Sequence, residues 1–175
     1  SAKSILMSGA GQNSVIFNNN QTAQAGVGGY IFNVPINGAG NVVQQTGHTT
    51  LNNVSDYTGG TVITGGMLSI DNNKALGSGD VAINTNASAS TNGLDIAYSD
   101  GSDFSNILTG SGYTNVSGVA RIVGDNSAYA GNWNVSGEAK TALNASTTTS
   151  GFGTGSINIT QNGLFTANTT NGFVF

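Results

Sequence analysis

In Asp56-Tyr57-Thr58-Gly59-Gly60-Thr61-Val62-Ile63-Thr64-Gly65-Gly66-Met67-Leu68 a short aliphatic strand stands between two glycine pairs. β-Branched residues favour the extended chain, and paired glycines supply the backbone freedom of a sharp corner. The same order of Tyr, Gly, strand and Gly returns about seventy residues later as Ala128-Tyr129-Ala130-Gly131-Asn132-Trp133-Asn134-Val135-Ser136-Gly137-Glu138-Ala139-Lys140. Downstream, Leu76-Gly77-Ser78-Gly79-Asp80-Val81-Ala82-Ile83 corresponds to Phe152-Gly153-Thr154-Gly155-Ser156-Ile157-Asn158-Ile159, after an insertion that falls in residues 144–150 and reads as a loop. A third echo pairs Asn92-Gly93-Leu94-Asp95-Ile96-Ala97 with Asn162-Gly163-Leu164-Phe165-Thr166-Ala167.

Composition restricts what these strands can build. The 175 residues include 27 glycines, one proline and no cysteine, and charged residues make up only 7%. Gly, Asn, Ser and Thr weaken helix interiors, so helix is disfavoured nearly throughout. Disorder is disfavoured too, because hydrophobic residues reach 37% and gather in short runs such as Ser14-Val15-Ile16-Phe17 and Ser156-Ile157-Asn158-Ile159-Thr160. No stretch between strands is long enough for the helical crossover of a βαβ unit. Parallel strands must then be joined by turning corners, and the expectation is an all-β, right-handed parallel β-helix (solenoid).

At about twenty residues per coil the chain makes about eight coils in one domain, with repeats over approximately 40–110 and 111–175. Inward residues stack into an apolar interior, and Asn or Thr ladders line corners. The candidate folding and packing residues are Tyr57, Val62, Ile63, Leu68, Tyr129, Trp133, Val135, Ile157, Ile159 and Leu164. Polar replacement of Val135 or Ile159 is expected to cripple folding.

The phrase from Leu51 to Ile70, followed by Ala75-Leu76-Gly77-Ser78-Gly79, resembles the autotransporter-associated β-strand repeat. Residues 51 to 83 follow that pattern almost throughout. Residues 129 to 159 follow it loosely, with Asn132-Trp133-Asn134 in place of Gly-Thr-x and Ala139 where Leu is usual. The resemblance implies an exported passenger of the AIDA and pertactin type at the surface of a Gram-negative outer membrane. It implies a β-helical scaffold with an adhesive face, and a junction or autochaperone region around Tyr129 to Val135 that assists export. Its implied partners are neighbouring passenger coils, a C-terminal outer-membrane barrel, and a host-cell protein or surface glycan. Self-association is the further expectation for a piece with cut ends, and the terminal Gly172-Phe173-Val174-Phe175 reads as truncation.

Function classes narrow on charge and chemistry. A net charge of -4, with only Lys3, Lys74, Arg121 and Lys140 as cations, leaves no basic stripe for phosphates, so nucleic acid is not an expected partner. Without cysteine there is neither a disulfide framework nor a thiolate metal site, and no cofactor is expected. Nothing at Ser1-Ala2-Lys3-Ser4 reads as a signal peptide, and no apolar run reaches the roughly 20 residues of a membrane helix.

Three chemical readings remain. His48 is the single histidine and so the one candidate base for a Ser-His-Asp triad, but no Gly-x-Ser-x-Gly elbow accompanies it and an exposed turn histidine is preferred. Asp95, Asp100 and Asp103 with Arg121 sketch a polysaccharide lyase or hydrolase site; against it stands a polar loop in which Asp caps turns and keeps ordinary acidity. Tyr57 and Tyr129, at equivalent repeat positions, could stack on sugars, but repeat position favours packing.

Overall fold

The structure, a computed structural model, describes residues 3–9, 12–22, 29–86, 91–136, 140–143, 151–160 and 163–167. Short strands follow one another in the order β1 (Ile5–Met7), β2 (Ser14–Asn18), β3 (Tyr30–Phe32), β4 (Ile36–Gly38), β5 (Asn41–Thr46) and β6 (His48–Leu51). They continue with β7 (Thr61–Ile63), β8 (Met67–Ile70), β9 (Val81–Ile83), β10 (Gly93–Ile96), β11 (Asp103–Phe104) and β12 (Leu108–Gly110). The last are β13 (Tyr113–Val116), β14 (Arg121–Ile122), β15 (Asn132–Val135), β16 (Lys140–Leu143), β17 (Ile157–Ile159) and β18 (Leu164–Ala167). Among the described residues there is no helix, and every strand pairing is parallel.

The pairings sort the strands onto three sides. One side is a seven-stranded sheet in the order β17-β15-β13-β10-β8-β6-β3, and a second is a five-stranded sheet in the order β12-β9-β7-β5-β2. The third is made of the pairs β1-β4, β11-β14 and β16-β18. Between the first two pairs it is continued by main-chain bonds from Asp56 N to Ile36 O, Thr58 N to Gly38 O and Ser78 N to Tyr57 O. Along the chain the third side, the five-stranded sheet and the seven-stranded sheet come in turn, and each pass lies on the one before it.

Register makes the interior continuous. In the seven-stranded sheet Tyr30, Thr49, Leu68, Leu94, Thr114, Trp133 and Ile157 form one column and Phe32, Leu51, Ile70, Ile96, Val116, Val135 and Ile159 the next but one. Numbers advance by about twenty per step, more at Leu68 to Leu94 and at Trp133 to Ile157. In the five-stranded sheet Val15, Val42, Thr61, Val81 and Leu108 face the same core. Fully burying one such aliphatic side chain stabilises by about 1.5–3 kcal/mol, which explains why alternating Val and Ile positions became strands.

Corners hold the passes together. Gly77 (φ 59) and Gly153 (φ 74) both lie in the left-handed region, where a Cβ would collide with the carbonyl oxygens of Tyr57 and Tyr129 respectively. The residues after them donate to those same carbonyls, Ser78 N to Tyr57 O at 3.1 Å and Thr154 N to Tyr129 O at 2.9 Å. The two Leu/Phe-Gly-x-Gly corners are therefore one device used twice.

The repeat is not superposed face on face, however. Thr61–Ile63 lies in the five-stranded sheet, but its sequence counterpart around Trp133 lies in the seven-stranded one. Val81–Ile83 and Ile157–Ile159 differ in the same way, and Leu94–Ile96 lies in the seven-stranded sheet where its counterpart from Leu164 lies on the third side. The second copy is displaced by one side throughout. The insertion at 144–150 and the segment Gly172–Phe175 lie outside the described residues.

Candidate functional site

Of the expected packing residues, Tyr57, Ile63, Leu68, Tyr129, Trp133 and Val135 are buried, and Ile157 is half-buried against the core. Three differ from expectation. Val62 pairs with Val43 and Ala82 on the outward row of the five-stranded sheet, because Thr61 and Ile63 on either side of it point in. Ile159 occupies an inward column but is 49% exposed, since β17 is the last strand of its sheet and is bonded on one edge only. Leu164, on the terminal strand of the third side, is 47% exposed for the same reason.

Trp133 centres an aromatic cluster. Its ring meets Tyr129 and Phe152 edge to face, at centroid distances of 5.7 and 5.3 Å, and its indole N–H donates to the Phe152 carbonyl at 2.9 Å. Tyr57 keeps its hydroxyl 2.6 Å from Thr61 Oγ1. In the second copy Trp133 takes the place of that threonine, and the Tyr129 hydroxyl finds Thr114 Oγ1 at 2.9 Å on the adjacent strand while donating to Gly112 O at 2.8 Å. Both rings are fully buried, which overturns a sugar-stacking role for the pair.

The outward row of the seven-stranded sheet is polar and largely buried, which alternation in the sequence did not announce. Thr50, Ser69, Asp95, Asn115, Asn134 and Asn158 stand in register. Asn158 Nδ2 donates to Asn134 Oδ1 and Asn134 Nδ2 to Asn115 Oδ1, each at 3.2 Å. Further along, Ser69 and Ser117 donate to the two carboxylate oxygens of Asp95, at 3.0 and 2.7 Å.

His48 joins this row and is fully buried on β6, correcting the expected exposed turn. Its Nε2 lies 2.7 Å from Ser69 Oγ. Because the single Ser69 hydroxyl proton goes to Asp95, Nε2 must carry the proton of that contact. Nδ1 is buried and makes no hydrogen bond of normal geometry. Burial lowers the pKa of His48, outweighing the Asp95 carboxylate and the Thr22 main chain, which raise it. Ser69 stands between His48 and Asp95, whereas a nucleophilic triad needs the imidazole between the hydroxyl and the carboxylate. This order does not activate Ser69.

The acidic loop does not assemble into a site. Asp95 belongs to the buried row, while Asp103 pairs in register with Arg121 on the third side and makes an ion pair with it. Asp100 Oδ1 accepts from Ser102 N at 2.9 Å, a turn cap of the kind the composition suggests. Acidities are not ordinary, though: the Ser102 backbone N–H and hydroxyl lower the pKa of Asp100, and the Arg121 guanidinium lowers that of Asp103. No group of three or more His, Asp or Glu suited to a metal occurs among the described residues.

No protein-family model, no curated protein and no solved structure matches this chain. Its resemblance to the autotransporter-associated repeat thus rests on residues 51–83 and 129–159 themselves. Among the described residues no helix is long and apolar enough to cross a membrane.

Proposed function

We propose that the chain is a segment of a secreted bacterial passenger, wound as a right-handed β-helix of about eight coils, that serves as scaffold and adhesive surface and as a folding nucleus during export. The observation that carries this reading is the in-register parallel stack, closed at corresponding corners by Gly77 and Gly153 and filled by one continuous core. Such a stack grows by adding passes to an existing edge, each burying apolar surface worth about 25 cal/mol per Å². The Tyr129–Trp133–Phe152 cluster supplies the densest aromatic packing on that path and is the natural nucleus. A host-cell protein or surface glycan is the proposed partner, the cell surface the proposed location, and no catalysis is assigned.

The test replaces Val135 by Asn in the chain fused to an outer-membrane barrel, and follows thermal stability together with surface display. Val135→Asn is expected to lose both, whereas Ile159→Asn, at a half-exposed position, is expected to cost about 1 kcal/mol or less. Normal stability and display of Val135→Asn would overturn the proposal. Normal stability with display lost would restrict it to templated export.

Self-association is a second reading, favoured by exposed apolar side chains at both ends: Leu6, Ile16, Tyr30 and Ile31 at one, Ile159 and Leu164 at the other. A solution mass that stays monomeric as concentration rises would remove it.

A further inference from the structure

A lone imidazole buried against a buried carboxylate, with one ring nitrogen unsatisfied, is chemically poised. His48 sits on β6, where the strand's edge faces β3 on one side and β8 on the other. From β8 it meets Ser69, and through Ser69 it reaches Asp95 on β10. On its other side a Cβ on Gly29 would collide with the His48 ring, so the ring lies directly beneath the chain entering β3. The same place is clamped by Asn19, whose Oδ1 accepts from His48 N at 3.1 Å and from Gln21 N at 3.0 Å, while its Nδ2 donates to Thr49 Oγ1 at 2.9 Å. Asp95 is the one charged group among the described residues that acts on His48, and residues 23–28, Ala-Gln-Ala-Gly-Val-Gly, contain no titratable side chain.

We propose that the His48–Ser69–Asp95 chain is an acid-sensitive fastener, holding β3 and residues 19–22 on β6 at neutral pH and releasing them when His48 takes a proton. The added proton must go to Nδ1, since Nε2 already donates to Ser69. There it creates a buried charge and an N–H without an acceptor, and the ring escapes both by swinging out from beneath Gly29. Strand β3 is bonded on one edge only, so its release requires no disruption of the remaining sheet. Histidine is the side chain whose charge changes in this range, and the pair needs no other group to respond between pH 5 and 7.

The sign is fixed by the environment. Burial places the folded pKa below the unfolded 6.5, so the fastening is complete above pH 6.5 and weakens as pH falls from there toward the folded value. Each unit of that separation is about a tenfold change in the opening equilibrium.

The chain has one histidine, so the experiment can be read without assignment ambiguity. Imidazole NMR and amide exchange, corrected for intrinsic chemistry, are followed from pH 7.5 to 5 in the intact chain. The expected result is a titration below 6.5 with faster exchange at Phe32 and Thr50, while amides of β15 stay unchanged. Titration at or above 6.5, or acceleration spread equally to β15, overturns the proposal from the wild-type chain alone. In His48→Gln the acceleration between pH 7.5 and 5 is expected to disappear; its persistence overturns the proposal as well.

Discussion

Trp133 shows how much one side chain can join. Its ring touches two aromatic neighbours from different passes and its N–H satisfies a main-chain carbonyl of a third segment. Trp133→Ala removes all of this and is expected to cost about 3–5 kcal/mol in denaturant unfolding. Tyr129 offers a second measurement at the same scale. Burial pushes its phenol up from 10.0 to about 12, with the Thr114 hydrogen bond pulling the other way. Because the unfolded chain ionises first, its contribution is intact below pH 10 and is lost as pH rises from 10 toward 12. Tyr129→Phe is expected to flatten that part of the alkaline unfolding curve, read by circular dichroism against pH.

Strands and corners were legible in the sequence to different degrees. Val81-Ala82-Ile83 and Ile63 announced themselves by alternation, and both Leu/Phe-Gly-x-Gly corners could be aligned by eye because a colliding carbonyl tolerates glycine alone. Gly153→Ala is accordingly expected to lower the melting temperature by several degrees, since it adds the strain of a left-handed alanine, about 1–2 kcal/mol, to a clash with Tyr129 O. His48, Ser69 and Asp95 were not legible as a group. Three different passes bring them together, and their polarity mimics a solvated row although the row is buried. Val62 misled in the opposite sense, because an aliphatic residue between Thr61 and Ile63 reads as core until register puts Thr61 inside. The acids of the 95–103 segment looked like a cluster on paper. In space Asp95 follows the seven-stranded sheet and Asp103 its partner Arg121.

For the molecule as a whole the sequence conveyed parallel pairing and a shared interior, because glycine-bounded strands without helical crossovers leave few alternatives. It could not convey which side each copy of the motif occupies, since that depends on how many residues every intervening corner consumes. Tyr57 leads into the five-stranded sheet and Tyr129 into the seven-stranded one, although the residues following them look alike. A duplication in such a chain need not point its product in the ancestral direction. Lengthening or trimming a single bend swivels everything downstream by a third of a revolution, so one ancestral module can offer its surface to several compass bearings without a change in its own residues.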